Sequence, residues 1–242
     1  MPETSPHVRL RILARRHRRR DGIRRDRQSS VTRAIAKAEE LAHQESRDAM
    51  TNQVLFIQGG GEGTHDEWDH KILDSLKREL GPDYAIRYPR MPNEADPKYA
   101  EWNTTLKRQF AGLDDGAIVV GHSIGGTILI KTLADDPPQL TFGGIFLIAP
   151  PFVGDGGWHS DDIELSDLGT KLPEETPLYL YHGSKDQTAP LEHVGLYAKA
   201  IPHAVVRTLS GRDHQLNNDL SEVAADIRRL GVVRGVPGAT GP

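Results

Sequence analysis

The stretch AIVVGHSIGGTIL, residues 117–129, constrains the fold of this chain more than any other segment. Its β-branched apolar run predicts a buried strand, and an apolar helical stretch follows the glycines. Between the two stands a G-x-S-x-G motif, in the strand–turn–helix context of a nucleophile elbow. Side chains at Gly121 and Gly125 would collide with the strand and the helix across so sharp a turn. We therefore predict that Ser123 lies at the tip of the turn as a nucleophile. A glycine-rich turn that holds a serine by chance is the alternative.

The charge of the chain is distributed unevenly. Residues 1–30 contain ten arginines and three acidic residues, a balance of +7, whereas the whole chain carries −4, so that residues 31–242 carry −11. The length of 242 residues fits one sizeable α/β domain with tails. We predict a basic disordered leader over 1–30, a helical extension over 31–51, a packed domain over 52–231 and a flexible tail over 232–242. Solvated charge explains the leader, with weak polyanion binding as the alternative.

The sequence contains no cysteine. Disulfides and thiolate chemistry are therefore excluded, and a cytoplasmic setting is expected. No apolar run has the length of a membrane-spanning helix, and no apolar segment typical of a secretory signal follows the arginines. We therefore expect no membrane span and no specific nucleic-acid partner. A transit peptide remains an alternative interpretation of the leader, and the oligomeric state stays open.

Short apolar segments alternate with helical segments along the rest of the chain. Besides the strand of the elbow, the pattern predicts strands at 53–58, 84–88, 143–149, 178–181 and 204–209, and helices at 67–80, 99–113, 191–200 and 219–230. This alternation predicts right-handed crossovers and a mostly parallel sheet of about six strands, with helices on both faces. Ligands of such sheets bind outside the carboxyl ends of the strands.

Two polar residues follow the last two predicted strands. Asp186 comes after the fifth strand in the segment HGSKDQTAP and His214 after the sixth in GRDHQLN, 63 and 91 residues after Ser123. A serine hydroxyl needs a histidine to take its proton, and that histidine needs a carboxylate to hold its tautomer. The order Ser, Asp, His, each just past a strand, therefore predicts a catalytic triad. Asp155, after the fourth strand, and Asp213, beside the histidine, are the alternative acids.

These motifs give residues 52–230 a resemblance to the α/β-hydrolase superfamily. Within it the chain is similar to the small, nearly capless serine hydrolases, the group of the retinoblastoma-binding serine hydrolase. The similarity lies in the glycine-rich loop after the first strand, the Met-Pro-Asn turn at 91–93 with Trp102 downstream, and the HGSKDQTAP and GRDHQLN segments. The resemblance implies an α/β-hydrolase fold with a nucleophile, a base and an acid that orients the base: Ser123, His214 and Asp186.

The oxyanion hole is predicted from the same resemblance. It should combine the backbone N–H of Ile124 with one from the loop after the first strand. Gly60 or Gly61 is the candidate donor, because a bare backbone can approach a substrate closely. This loop lacks the glycine spacing of a dinucleotide site and the Gly-Lys-Ser/Thr of a phosphate loop. The cluster HDEWDH at 65–70 lacks the spacing H-E-x-x-H, so we expect neither a metal nor a cofactor.

The connection over residues 150–177 is the usual place for a cap, but it is too short for a domain. It could hold a short helix over 161–168, which leaves an open, shallow site. Trp68, Met91 and Trp158 are candidate walls of that site, with plain packing as the alternative for each. The interpretation that follows is a serine hydrolase of carboxylic esters, of short chain, that acts on a small-molecule substrate. An amidase or peptidase with the same triad and a binding protein on a hydrolase fold are the alternatives.

Overall fold

The computed structural model describes residues 52–234, together with Lys37, which is helical. The chain divides into two units, residues 1–51 and 52–242. Apart from Lys37, the predicted basic leader and helical extension lie outside the described residues, as does the predicted tail from residue 235 onward. The sheet, its helices and the candidate site belong to the second unit.

Six short apolar segments form the strands of one sheet. They are β1 (Asn52–Ile57), β2 (Tyr84–Arg87), β3 (Ile118–His122), β4 (Gly144–Ile148), β5 (Leu178–Gly183) and β6 (Val205–Leu209). Every residue of β3 and β4 is buried, as expected of central strands that are covered on both faces. All six strands lie where the apolar runs predict them.

The strands are arranged in the order β2-β1-β3-β4-β5-β6, and every neighbouring pair is parallel. The prediction of a mostly parallel sheet of about six strands is therefore confirmed. Because the strands are parallel, their carboxyl ends lie along one edge of the sheet. Ser123, Asp186 and His214 follow β3, β5 and β6 at this edge, where ligands bind in sheets of this kind.

The helices connect the strands and lie against both faces of the sheet. They are α1 (Asp69–Leu80), α2 (Tyr99–Phe110), α3 (Ser123–Asp135), α4 (Leu168–Lys171), α5 (Glu192–Ala200) and α6 (Ser221–Arg234). A π-helical turn, Thr64–Trp68, leads directly into α1, and a short 3₁₀ turn, Leu216–Asn218, precedes α6. The last helix extends three residues beyond the predicted end of the domain.

Alternate side chains of the strands pack into two hydrophobic clusters, one on each face of the sheet. In β1, Val54 and Phe56 pack with α1 and α6, whereas Leu55 and Ile57 pack with α2, α3 and α5. This period of two is the geometry of a strand with both faces buried. Burial of apolar surface stabilises the fold by about 25 cal/mol per Å². The two clusters therefore hold the strand ends, and with them the site, in place.

The connection between β4 and β5 differs from the prediction of a short helix over 161–168. Helix α4 has a single turn and begins only at Leu168. Before it, Ile163 and Leu165 are buried while the residues beside them are exposed, which is the alternation of an extended segment. The N–H of Leu165 donates to the carbonyl oxygen of Val153 at 2.8 Å, so this segment lies against the loop after β4.

Candidate active site

The turn between β3 and α3 has the strained geometry of a nucleophile elbow. Ser123 has a φ of +50°, a conformation that costs an L-residue of order 1 kcal/mol or more. A Cβ atom at Gly125 would lie 1.9 Å from the carbonyl oxygen of Gln58, and one at Gly121 would lie 2.6 Å from the Cα of Gly126. Only glycine fits at both places, and this explains the motif.

The structure brings the three predicted triad residues together. The Nε2 of His214 lies 3.0 Å from the Oγ of Ser123, and its Nδ1 lies 2.8 Å from the Oδ2 of Asp186. The other carboxylate oxygen of Asp186 accepts the backbone N–H groups of Thr188 and Ala189 at 2.7 and 3.0 Å. A carboxylate beside Nδ1 favours a proton on that nitrogen, which leaves Nε2 free to accept the serine proton.

The surroundings of the triad shift the proton affinities of two of its members. Burial lowers the pKa of His214, and this effect exceeds the opposite effect of its hydrogen bond to Asp186. Burial also works to raise the pKa of Asp186, but the hydrogen bonds that the carboxylate receives from His214 and from the backbone outweigh it and lower that pKa. The arrangement therefore pairs an ionised carboxylate with a neutral imidazole near pH 7.

The other two carboxylates considered for the acid are placed elsewhere. Asp213 is exposed, and its carboxylate accepts the backbone N–H of Asn217 at 2.7 Å. Asp155 is also exposed, in the loop after β4. Among the three candidates, Asp186 alone is hydrogen-bonded to His214 in the described part of the chain.

The predicted oxyanion donors lie beside the elbow, but they are not equivalent. A Cβ at Gly60 would lie 2.8 Å from the Cγ2 of Ile124, so Gly60 packs against the side chain of Ile124. The N–H of Gly61 donates to the carbonyl oxygen of Glu94 at 2.6 Å and is therefore occupied. No hydrogen bond of the Gly60 N–H is found among the described residues. The N–H of Ile124 is in the first turn of α3, where backbone donors have no intrahelical partner.

Two polar residues that sequence reasoning missed hold the glycine-rich loop. The carboxylate of Glu94 accepts the N–H groups of Gly63 and His65, both at 3.1 Å, and the side-chain amide of Gln58. Gln58 is fully buried, and its Oε1 accepts the N–H of Met91 at 3.1 Å. The loops after β1 and β2 are thereby fastened to each other. A polar residue at the carboxyl end of an apolar strand, as Gln58 is, was the available signal.

The three candidate wall residues differ in their exposure to solvent. Met91 is 1% exposed and belongs to the hydrophobic core, so the prediction that it walls an open site is wrong; the loop after β2 turns its side chain inward. Trp68 and Trp158 are 51% and 41% exposed. Lys71 lies over the ring of Trp68, and the ring of Trp158 packs edge-to-face against His193. The two tryptophans remain candidates.

In the described part of the chain, no group of three or more His, Cys, Asp or Glu side chains is arranged to hold a metal ion. None of the described helices has both the length and the apolar character needed to cross a membrane.

Sequence and structure comparisons agree with the fold. The sequence model of the alpha/beta hydrolase family matches residues 54–238, a range that includes the three residues of the predicted triad. A comparison with curated protein sequences finds no match. The narrower similarity to the group of the retinoblastoma-binding serine hydrolase stays a prediction.

Solved structures with the same fold include several hydrolases. A CIB-like hydrolase from Thermoplasma acidophilum shares 21% identity at a TM-score of 0.54, covering 78% of this chain and 89% of its own. The ydeN gene product of B. subtilis shares 19% at a TM-score of 0.59, covering 75% and 100%. Est1E from Butyrivibrio proteoclasticus, solved with ferulic acid, shares 15% at a TM-score of 0.55, covering 76% and 89%. At these identities the likeness shows the fold.

Proposed function

Since the chain belongs to the α/β hydrolase family, we propose that it is a serine hydrolase that cleaves carboxylic esters through an acyl-enzyme on Ser123. One observation carries the proposal. The imidazole of His214 is hydrogen-bonded to the serine hydroxyl on one side and to the buried carboxylate of Asp186 on the other. A serine on a strained elbow has no structural need for such partners, whereas a nucleophile does.

The proposed reaction proceeds in two halves. The Oγ of Ser123 attacks the ester carbonyl carbon while its proton passes to the Nε2 of His214. The C–O bond to the alcohol then breaks, and the imidazolium gives its proton to the departing oxygen. Water repeats the sequence on the acyl-enzyme, with His214 again taking a proton, and releases the acid. Asp186 keeps its negative charge throughout and stabilises the imidazolium.

The tetrahedral intermediate places a negative charge on the former carbonyl oxygen. We propose that the N–H groups of Gly60 and Ile124 bind this oxygen, because neither has another acceptor among the described residues and both lie beside Ser123. The N-terminal end of α3 adds the favourable field of its helix dipole. Removing one such donor costs about 10²–10³ in turnover in a serine protease. Because Gly60 lies in the loop that Glu94 holds, this loop is part of the proposed catalytic apparatus.

The proposed substrate is a small ester with a short acyl chain. The connection between β4 and β5 contributes only a one-turn helix and an extended segment, and these can bury little of a long acyl chain. Trp68 and Trp158, both partly exposed, are the proposed apolar contacts. An amidase or a peptidase would use the same three residues, and the two classes differ in which leaving groups they accept.

Hydrolysis of p-nitrophenyl acetate tests the proposal. Ser123→Ala is expected to lower turnover by about 10⁶, since the triad acts as a unit, and to leave the melting temperature close to that of the wild type. Ser166→Ala, an exposed serine in the β4–β5 connection, is the matched control and should retain full activity. A Ser123→Ala variant with more than about a tenth of the wild-type rate would show that the nucleophile lies elsewhere.

A further inference from the structure

A second histidine–aspartate pair lies directly beside the triad. His122, the last residue of β3, precedes the nucleophile, and Asp69 is the first residue of α1. The Nδ1 of His122 lies 2.9 Å from the Oδ2 of Asp69. Both residues are almost completely buried, at 1% and 0% exposure. Burial of a carboxylate lowers the stability of the fold unless the group is paired and hydrogen-bonded. A buried carboxylate at this place therefore indicates a role in the site.

The other contacts of this pair reach the two remaining parts of the site. The Oδ2 of Asp69 also accepts the backbone N–H of Gly59 at 2.7 Å, next to the proposed oxyanion donor. The Nε2 of His122 lies 3.2 Å from the backbone carbonyl oxygen of His214. The pair therefore connects the loop after β1, the strand that carries the nucleophile and the loop that carries the base.

The partners of the ring determine its protonation state. A carbonyl oxygen can only accept a hydrogen bond, so the nitrogen that faces His214 must carry a proton. A carboxylate also accepts, so the nitrogen that faces Asp69 carries one as well. Histidine donates from both nitrogens only as the imidazolium ion. Burial works to lower the pKa of His122, but the charge and hydrogen bond of Asp69 outweigh it and raise that pKa.

We propose that Asp69 and His122 form a buried carboxylate–imidazolium pair that positions the base and the oxyanion loop against the nucleophile. The two are positioning residues, because they act on the substrate through Gly59 and His214. This inference rests on the proposed function, in which His214 is the base.

The pair also acts on the base electrostatically. The rings of His122 and His214 have centroids 4.9 Å apart. The imidazolium of His122 contributes to the lowering of the pKa of His214, after burial, while Asp186 and the more distant Asp69 act in the opposite direction. Loss of the buried pair should therefore raise the pKa of His214, and the acid limb of kcat/KM should move to higher pH.

Nitrogen-15 NMR of the histidine rings in the full chain tests the protonation state directly. Between pH 6 and 8 we expect one ring, assigned by its loss in His122→Gln, to carry protons on both nitrogens throughout. His193 is the internal reference: its Nδ1 accepts the N–H of Phe152 at 2.9 Å, so its ring should be neutral, with the proton on Nε2. A His122 ring with only one protonated nitrogen at pH 7 would overturn the proposal.

The variant Asp69→Asn tests the positioning role. The Oδ2 of Asp69 binds both Gly59 and His122, so an asparagine oxygen can take its place, but the neutral amide no longer stabilises the imidazolium. A neutral ring has one N–H group and keeps only one of its two hydrogen bonds. We expect kcat to fall by about 10- to 100-fold, the loss of one hydrogen bond to a charged group, with KM nearly unchanged and the acid limb shifted upward. Asp74→Asn, an exposed carboxylate on the same helix, is the control and should match the wild type.

The outcomes separate this inference from the proposed function. If Ser123 of Asp69→Asn still reacts with a fluorophosphonate, only more slowly, the nucleophile is intact and the pair acts on its surroundings. An unchanged kcat, or a lower kcat without movement of the acid limb, would overturn the inference and leave the proposed function standing. If the variant does not fold, the NMR of the wild-type chain decides alone.

Discussion

The replacement Asp186→Asn tests the role of the buried acid, because its hydrogen bonds impose opposite demands on an amide. One oxygen accepts the N–H groups of Thr188 and Ala189, and the other faces the Nδ1 of His214. An asparagine oxygen that satisfies the two backbone donors turns the amide NH₂ toward His214. The Nδ1 of His214 then has to accept a hydrogen bond from this NH₂, so the ring proton moves to Nε2. There it points at Ser123, and Nε2 can no longer take the serine proton.

The wrong tautomer removes the base without removing any side chain from the site. The equivalent change in a serine protease lowers turnover by about 10⁴, or roughly 5 kcal/mol of transition-state stabilisation. We expect the same order here, because the distances from Nδ1 and Nε2 to their partners are 2.8 and 3.0 Å. In the opposite orientation the amide NH₂ would face the two backbone N–H donors. This arrangement is unfavourable, so the amide cannot restore the productive tautomer by turning over.

The assay compares three variants on p-nitrophenyl acetate, with the melting temperature of each as a check on folding. Asp213→Asn and Asp155→Asn should each cost less than about tenfold, because neither carboxylate is hydrogen-bonded to His214 in the described structure. A folded Asp186→Asn within about tenfold of the wild type would refute the reasoning. So would a larger loss at Asp155, since that would place the acid after β4.

Two further predictions concern pH and substrate length. Because burial lowers the pKa of His214, the base stays neutral below the ordinary histidine value of about 6.5. We therefore expect the acid limb of kcat/KM to have its midpoint below pH 6.5. A midpoint at or above that pH would contradict this prediction. Across p-nitrophenyl esters from acetate to laurate, kcat/KM should be highest for the short acyl chains, because an open site buries few methylenes at about 0.8 kcal/mol each; a steady rise toward laurate would show a long apolar channel.

The parallel sheet could be predicted, and the triad proposed, because both leave local marks in the sequence. Buried strands of a parallel sheet are continuous apolar runs, so the segment around Val119 is recognisable without its neighbours. Ser123, Asp186 and His214 each follow such a run at once. A parallel sheet brings the ends of its strands to one edge, so residues 91 positions apart in the chain become neighbours.

The parts that sequence missed depend on how loops pack. The sequence around Met91 does not indicate that its loop turns inward. The backbone N–H of Met91 is bound by Gln58, 33 residues earlier in the chain, and this contact fixes the loop. The preference for Gly60 over Gly61 depends likewise on the carbonyl of Glu94, from another loop. The buried pair of Asp69 and His122 joins residues 53 apart. Polar partners across loops have no periodicity to reveal them.

The most direct test of the central claim is the mass of the protein after reaction with a fluorophosphonate. Such a reagent phosphonylates an activated serine Oγ, with loss of fluoride. We predict one adduct per chain, located on Ser123 by peptide mapping, with no adduct on Ser123→Ala and a strongly slowed reaction on His214→Ala. An unlabelled wild type, or label on another serine, would contradict the proposal that Ser123 is an activated nucleophile.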